Sequence, residues 1–183
     1  MQFKNKSYAN RGMDLEKMVN EANTYYGCRN ECVMIKVPTP KKILYKNCNG
    51  YRVPVKAFYE QKSWLDYVGT IKGVPVTFDA KECKNKTSFP LSNIAPHQIQ
   101  ALKQWHWNGG KGFLIVYFTI HNKMYLLPYE LLMEYHNASL NGGRKSIPYN
   151  VFQEQCYEIA GDRMIVCDWI KAYRDWEVCN ELQ

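Results

Sequence analysis

A nearly continuous apolar run over residues 112–120 (GFLIVYFTI) constrains the fold of this chain more than any other feature. Successive side chains of a strand point to opposite faces of its sheet, so a strand that is apolar at every position is buried on both faces. The run therefore predicts a central strand of a sheet that is covered on both sides.

The segments around this run predict an α/β fold. Apolar spacing, turn residues and Pro96 at a helix start define the predicted elements. The predicted helices span 13–26 (ended by Gly27), 96–105, 129–137, 148–158 and 168–178. The predicted strands span 32–37, 42–46, 51–59, 66–71, 74–82, 112–120 and 124–127. Because several neighbouring strands are joined by short turns, the central sheet is expected to be mixed, with helices flanking it.

No repeat, low-complexity tract or interdomain linker interrupts the chain, so residues 1–183 are expected to form one domain. The N-terminal residues are polar and lack the apolar core of a signal peptide, and no stretch of 18 apolar residues is present. The seven cysteines are scattered without a CxxC pair. These features favour a reducing cytoplasm with free thiols and no membrane partner.

The positive charge is concentrated in one segment. The whole chain has a net charge of +7, and residues 36–62 hold seven basic residues and one acidic residue. Strand-like stretches flank an Asn-Gly turn signal there, which predicts a long basic hairpin that projects from the body. A basic surface of this kind favours nucleic acid as the partner, or less often an anionic membrane.

Two aspartates and a lysine form the most informative pattern. Asp66 lies on the strand that precedes the Lys72-Gly73 turn, and Asp79 and Lys81 lie on the strand that follows it. Asp79 and Lys81 share a face, since they are two residues apart in a strand. Two carboxylates can hold a hard cation, and a lysine beside them can stabilise charge on a reacting phosphate. The bare pattern is weak, because an edge strand with a solvated Asp–Lys pair has the same spacing.

The surrounding sequence makes the pattern specific. The segments that carry the resemblance are NRGM (10–13), LE (15–16), NEANTYY (20–26), PTP (38–40), DY (66–67), AKE (80–82), KNKTSFPL (84–91), HQI (97–99) and GRKSI (143–147). In order and approximate spacing they resemble the RecU family of Holliday-junction resolvases over nearly the whole chain.

The resemblance implies a nuclease fold like that of type II restriction enzymes, in the PD-(D/E)xK class. It implies a Mg²⁺-dependent homodimer, with Mn²⁺ as a substitute, whose two active sites cut opposing strands of a four-way DNA junction by paired symmetric nicks. It also implies a stalk that enters the open centre of the junction, and residues 36–62 are expected to form it. The host is expected to be a bacterium or a cell infected by phage, with recombinase or branch-migration proteins as candidate partners.

Carried over residue by residue, the resemblance assigns roles to named positions. The expected metal ligands are Asp66, Asp79 and Gln98. Lys81 falls on the position that stabilises the transition state, and Arg11 and Glu16 fall on a helix that flanks the site. The expected DNA contacts, each of which would otherwise be a solvated charge, are Arg11, Lys41, Lys42, Lys46, Arg52, Lys84, Lys86, Arg144 and Lys145.

Two residues depart from the family pattern. Asp79 stands where the family usually has Glu, and Trp64 stands where it has a metal-binding Thr two residues before the first Asp. Ser63, a water or the backbone of Trp64 is expected to take that place. Two other functions stay open: a restriction-like nuclease that reads duplex sequence, and a junction-binding protein that modulates recombination without cutting. The basic hairpin argues against the first, and the retained Lys81 argues against the second.

Overall fold

The computed structural model describes residues 14–38, 41–48, 50–59, 64–161 and 164–181. Its helices are α1 (Leu15–Cys28), α2 (Pro96–Trp107), α3 (Tyr129–Leu140), α4 (Tyr149–Gln155) and α5 (Trp169–Glu181). Its strands are β1 (Val33–Lys36), β2 (Lys41–Cys48), β3 (Tyr51–Tyr59), β4 (Tyr67–Ile71), β5 (Val74–Cys83), β6 (Ser88–Pro90), β7 (Lys111–Phe118), β8 (Lys123–Pro128), β9 (Ser146–Pro148) and β10 (Tyr157–Ile159).

The main sheet is six-stranded and mixed, in the order β1-β4-β5-β7-β8-β10. Strands β5 and β7 run parallel, and α2 lies in the crossover that joins them. The other neighbouring pairs are antiparallel. The α/β class and the mixed sheet are thus confirmed. Strand β7 lies at the centre and is buried along its length from residue 112 to 118, as the apolar run predicts.

Helices cover both faces of this sheet. On one face, α1 and α5 pack on the aromatic side chains of Phe78 and Phe113, with ring centroids 5.0 Å apart for Phe78–Phe113 and for Phe78 with Trp169 of α5. On the other face, α2, α3 and α4 pack on the alternate side chains of β7, among them Leu114 and Val116. Burial of these side chains is the main favourable contribution to folding.

The turn between β4 and β5 sets the register of the predicted site. Lys72 and Gly73 both adopt positive φ, 46° and 88°, which is the backbone of a tight two-residue hairpin turn. The turn pairs Tyr67 with Phe78 in the antiparallel ladder. The next position along the ladder brings Asp66, just before β4, opposite Asp79.

The basic segment forms a separate two-stranded sheet. Strand β2 pairs with β3 in antiparallel register, with an irregularity between Leu44 and Tyr45. Apolar side chains on it, such as Tyr51 and Val55, are exposed. The hairpin prediction is therefore confirmed, whereas its role as a junction stalk stays a prediction.

Several local predictions differ from the structure, most of them by a few residues at the end of an element. The helix predicted over 148–158 ends at Gln155, and Tyr157–Ile159 forms the edge strand β10 instead. Helix α1 continues past Gly27 to Cys28. The short strands β6 and β9, which pair with each other, were not predicted. As predicted, all seven cysteines are free. Among the helices of the described ranges, none combines the length and apolarity needed to cross a lipid bilayer.

Candidate active site

The hairpin of β4 and β5 brings Asp66, Asp79 and Lys81 together. The backbone N–H of Asp66 donates to Asp79 Oδ1 at 3.2 Å. Lys81, two residues further along the same face of β5, places its Nζ 2.5 Å from Asp79 Oδ2. The predicted juxtaposition of these residues is thus present, and it depends on strand pairing rather than on a flexible loop.

Asp79 is fully buried and incompletely paired. Its Oδ1 accepts hydrogen bonds from the Asp66 backbone and from Gln98 Nε2. Its Oδ2 forms an ion pair with the Lys81 ammonium. Within the described part of the chain, no further donor reaches Oδ2. A hard divalent cation is a group that would pair with this oxygen in place of Lys81.

The surroundings of Asp79 raise the pKa of its carboxyl to about 7. Burial is the largest cause, because it disfavours the charged form. The positive charge of Lys81 acts in the opposite direction, and the like charge of Asp66 adds to the rise. Burial therefore disfavours the charged form of Asp79 in the metal-free site, even with Lys81 beside it.

Gln98 contacts the site through its amide nitrogen. Its Nε2 donates to Asp79 Oδ1 at 2.9 Å, and its Oε1 accepts from the backbone N–H of Ala95 at 3.1 Å. Ala95 is the residue that precedes the first turn of α2, so the same side chain also caps this helix. In this arrangement the amide nitrogen of Gln98 holds Asp79 in place. The amide oxygen of Gln98 faces the start of α2 rather than the carboxylates.

A small cleft of about 150 Å³ opens on the other side of Asp66, between β5 and the start of α1. Glu16 lines it and forms an ion pair with Lys36. Glu82 also lines it and accepts a hydrogen bond from the backbone N–H of Leu15. Glu16 thus flanks the site as expected. Within the described residues, no three side chains of His, Cys, Asp or Glu converge on one point as a metal cage would.

The KNKTSFPL and GRKSI motifs, far apart in sequence, meet in the small sheet of β6 and β9. Phe89 pairs with Ile147, and the Lys145 carbonyl accepts from the Leu91 N–H at 3.1 Å. Four exposed cations stand on the two loops that lead into these strands, and they are Lys84, Lys86, Arg144 and Lys145. The loop with Lys84 leaves β5 directly after Cys83, so this basic surface continues from the strand that holds Lys81.

His121 anchors the first of these loops, and the sequence pattern gave no sign of it. Its Nε2 donates to the Lys86 carbonyl at 2.7 Å. Its ring stacks on Tyr149, with centroids 3.9 Å apart and planes 11° from parallel. The Tyr149 backbone N–H in turn donates to the Thr87 carbonyl. A lone histidine after a strand carries no motif, so only the fold reveals this contact.

The remaining predicted residues are distributed as follows. Lys46 and Arg52 are exposed near the end of the basic hairpin, and the Arg52 guanidinium lies over the Tyr45 ring at 5.3 Å. Lys41 and Lys42 lie in β2, at the opposite end of the hairpin. The two predicted residues that lie outside the described ranges are Arg11 and Ser63.

Comparison with known proteins identifies the family of the chain. The model of the family described as RecU, recombination protein U, matches residues 10–175. This chain belongs to the RecU family. The Holliday junction resolvase RecU of Oenococcus oeni is 38% identical over 169 residues, which cover 91% of this chain and 86% of that protein. The protein of the same name from Oceanobacillus iheyensis is 40% identical over 153 residues, 82% of this chain and 78% of its own.

Further RecU relatives and a solved structure extend the comparison. The Bacillus thuringiensis Holliday junction resolvase RecU is 42% identical over 147 residues, which cover 79% of this chain and 74% of that protein. Among solved structures, the Holliday junction resolvase Hjc of Archaeoglobus fulgidus aligns with 79% of this chain and 96% of its own. Its sequence identity is 10% and its TM-score 0.46. The family predicted from the sequence motifs is confirmed by the family match and the close relatives.

Proposed function

We propose that this RecU-family protein is a divalent-metal-dependent endonuclease that resolves four-way DNA junctions by paired symmetric nicks. Mg²⁺ is the proposed cation, with Mn²⁺ as a substitute, and the active form is a homodimer with one site in each subunit. The observation that carries the proposal is the buried Asp79 carboxylate, which contacts the Asp66 backbone through Oδ1 and has Lys81 as the ion-pair partner of Oδ2. Its relatives bear the name Holliday junction resolvase.

The oxygens of Asp66 and Asp79 suit a hard cation. A bound divalent cation would supply Lewis acidity toward the scissile phosphate and the attacking water. Asp79 is held in position by two donors to Oδ1, the Asp66 backbone and Gln98 Nε2, so its other oxygen, now paired with Lys81, points in a fixed direction. This preorganisation avoids the cost of ordering a ligand during the reaction.

Lys81 has two positions in this proposal. Without a cation, its Nζ neutralises Asp79. Once that carboxylate is otherwise neutralised, the ammonium is free to face the phosphate, where it stabilises the negative charge that develops as the bond breaks. Gln98 is proposed as a third ligand. For this its amide has to rotate, because Oε1 now accepts from the Ala95 N–H.

DNA binding is proposed for two basic surfaces. The exposed cations at β6 and β9 stand on two loops, one of which leaves β5 two residues after Lys81, and they would hold the phosphates that flank the cut. The hairpin of β2 and β3 would enter the junction centre as a stalk. Such a protein acts on the DNA of a bacterial cytoplasm, and recombinase or branch-migration proteins are partners expected from the resemblance alone.

Cleavage of a synthetic mobile four-way junction tests this function. Each strand is end-labelled in turn, and the reaction is run with Mg²⁺, Mn²⁺ or EDTA beside a linear duplex of the same sequence. Lys81→Ala protein purified in the same way controls for a contaminating nuclease. Symmetric nicks on the junction alone, which disappear in EDTA, are expected. Equal cutting of the duplex would favour a restriction-like nuclease, and tight binding without cutting would favour a recombination modulator.

A further inference from the structure

A shallow groove of about 300 Å³ lies between Trp64 and one side of α2. Its helical wall consists of His97, Gln100, Ala101 and Gln104, which recur at the three- and four-residue spacing of one helix face. None of the lining residues is Lys, Arg, Asp or Glu. The groove therefore suits a flat, uncharged ring with polar edges better than it suits a phosphate.

Trp64 forms the opposite wall and offers an aromatic surface to it. Half of its side chain is exposed (50%). Its ring rests edge-to-face on Trp105, with centroids 6.2 Å apart and planes at 82°. Trp105 is itself fixed, because its indole N–H donates to the Pro75 carbonyl at 3.4 Å and the backbone of Gly110 lies directly against its ring. Trp64 is thus exposed to solvent and also held in place by Trp105, as a side chain that stacks on a base has to be.

Both walls of the groove adjoin the metal site. Trp64 is separated from Asp66 only by the buried Leu65, and His97 precedes Gln98, the residue that clamps Asp79. Buried side-chain polar atoms without a hydrogen-bond partner in the described ranges are His97 Nδ1 and Asp79 Oδ2. The groove therefore lies beside the proposed metal site at both of its walls.

We propose that this groove is a base subsite, which holds the base of a nucleotide next to the scissile phosphate. The base stacks on Trp64 and turns its polar edge toward Gln100 and Gln104. Each glutamine amide presents a donor and an acceptor, which is the pattern that base edges match. The inference rests on the proposed endonuclease function, because the strand that reaches the groove is the one whose phosphate lies at the metal site.

The subsite gives Trp64 a positioning and specificity role. A stacked base beside the cut would fix the register of the strand, and the two amides would favour one base over another. Stacking of a base on an aromatic side chain contributes roughly five- to hundredfold in affinity. Loss of Trp64 is therefore expected to weaken junction binding by a factor in this range and to broaden the choice of cleavage sites.

The test is a double-mutant cycle between the protein and the DNA. Equilibrium binding to four-way junctions is measured with Mg²⁺ in a Lys81→Ala background, so that the DNA stays intact. An abasic analogue replaces each nucleotide next to the crossover in turn, and Trp64→Ala and Trp64→Phe are compared with the parent. At one position, base removal is expected to weaken binding by about fivefold or more for the parent. It is expected to have almost no effect for Trp64→Ala and an intermediate effect for Trp64→Phe.

Trp107→Ala is the matched control, since Trp107 is an exposed tryptophan (75%) at the end of the same helix but outside the groove. It is expected to keep the full base dependence. The same base dependence with and without Trp64 at every position would overturn the subsite. If the base dependence disappears with Trp64 but the wild-type protein does not cut the junction, the endonuclease function is refuted. If the wild-type protein cuts the junction but its base dependence is the same with and without Trp64, the subsite alone is refuted. Failure to bind any junction would refute both.

Discussion

Replacing Asp79 with asparagine is expected to stabilise the metal-free protein at neutral pH while it abolishes cleavage. The side-chain oxygen of Asn still accepts from Gln98 Nε2 and the Asp66 N–H, so the local hydrogen bonds persist. What disappears is a buried negative charge together with its ion pair to Lys81. The substitution therefore distinguishes the effect of this buried carboxylate on the free energy of unfolding from its effect on cleavage.

The size of the effect follows from the pKa of Asp79, which burial raises to about 7 from an ordinary value of 3.8. Because the folded pKa is the higher one, the native state binds more protons than the unfolded state between these values. The free energy of unfolding therefore falls as pH rises through this window. One pKa unit corresponds to about 1.4 kcal/mol, and Asp79 is only half titrated at its folded pKa, so wild-type protein is expected to lose about 2 kcal/mol between pH 5 and pH 7 through this group.

Urea unfolding of both proteins in EDTA, from pH 5 to pH 8, measures this difference. The free energy of unfolding of Asp79→Asn minus that of wild type should increase by about 3 kcal/mol toward alkaline pH and then level off. Added Mg²⁺ should stabilise the wild type by mass action and leave the variant unchanged. If the difference in free energy of unfolding between the two proteins is the same at pH 5 and pH 8, burial does not raise the pKa of Asp79 and the argument is refuted.

Three further outcomes are expected. Lys81→Ala should lower the cleavage rate by roughly 10²-fold or more while junction affinity stays within about twofold of wild type, and an equal loss of both would mean that Lys81 only holds DNA. Lys46→Ala combined with Arg52→Ala should weaken junction binding more than duplex binding and reduce the slope of log affinity against log salt by about 2. Equal losses on the two substrates would contradict a stalk. Phe113→Ala should lower the free energy of unfolding by about 3–5 kcal/mol in urea, and a loss below about 1 kcal/mol would contradict its place at the centre of the core.

The sequence predicted best where a pattern was long or local. The apolar run of β7 left no alternative to a buried central strand, and the Lys72-Gly73 turn fixed the register that brings Asp66 to Asp79. Prediction was weakest for three-residue strands. Tyr157–Ile159 was assigned to a helix because three residues are too few to show a period of two and a helix precedes them.

The missed features of the candidate site depend on distant partners. Strands β6 and β9 exist because residues 88–90 pair with residues 146–148, and no local pattern encodes that choice. The orientation of Gln98 results from competition between the N–H of Ala95 and the carboxylate of Asp79 for its amide. The groove beside Trp64 likewise arises only when α2 docks next to the residue that precedes β4.

The crossover through α2 also orders the assembly of the site during folding. Asp66 and Asp79 are joined by a tight hairpin, and hairpins of this kind close within about 1–10 μs. Gln98 arrives later, since the parallel pairing of β5 with β7 must first close a long loop, and such non-local contacts form slowly. A folding chain therefore brings two carboxylates together before the amide that restrains them is present. The proposed cation site would therefore be completed late in folding.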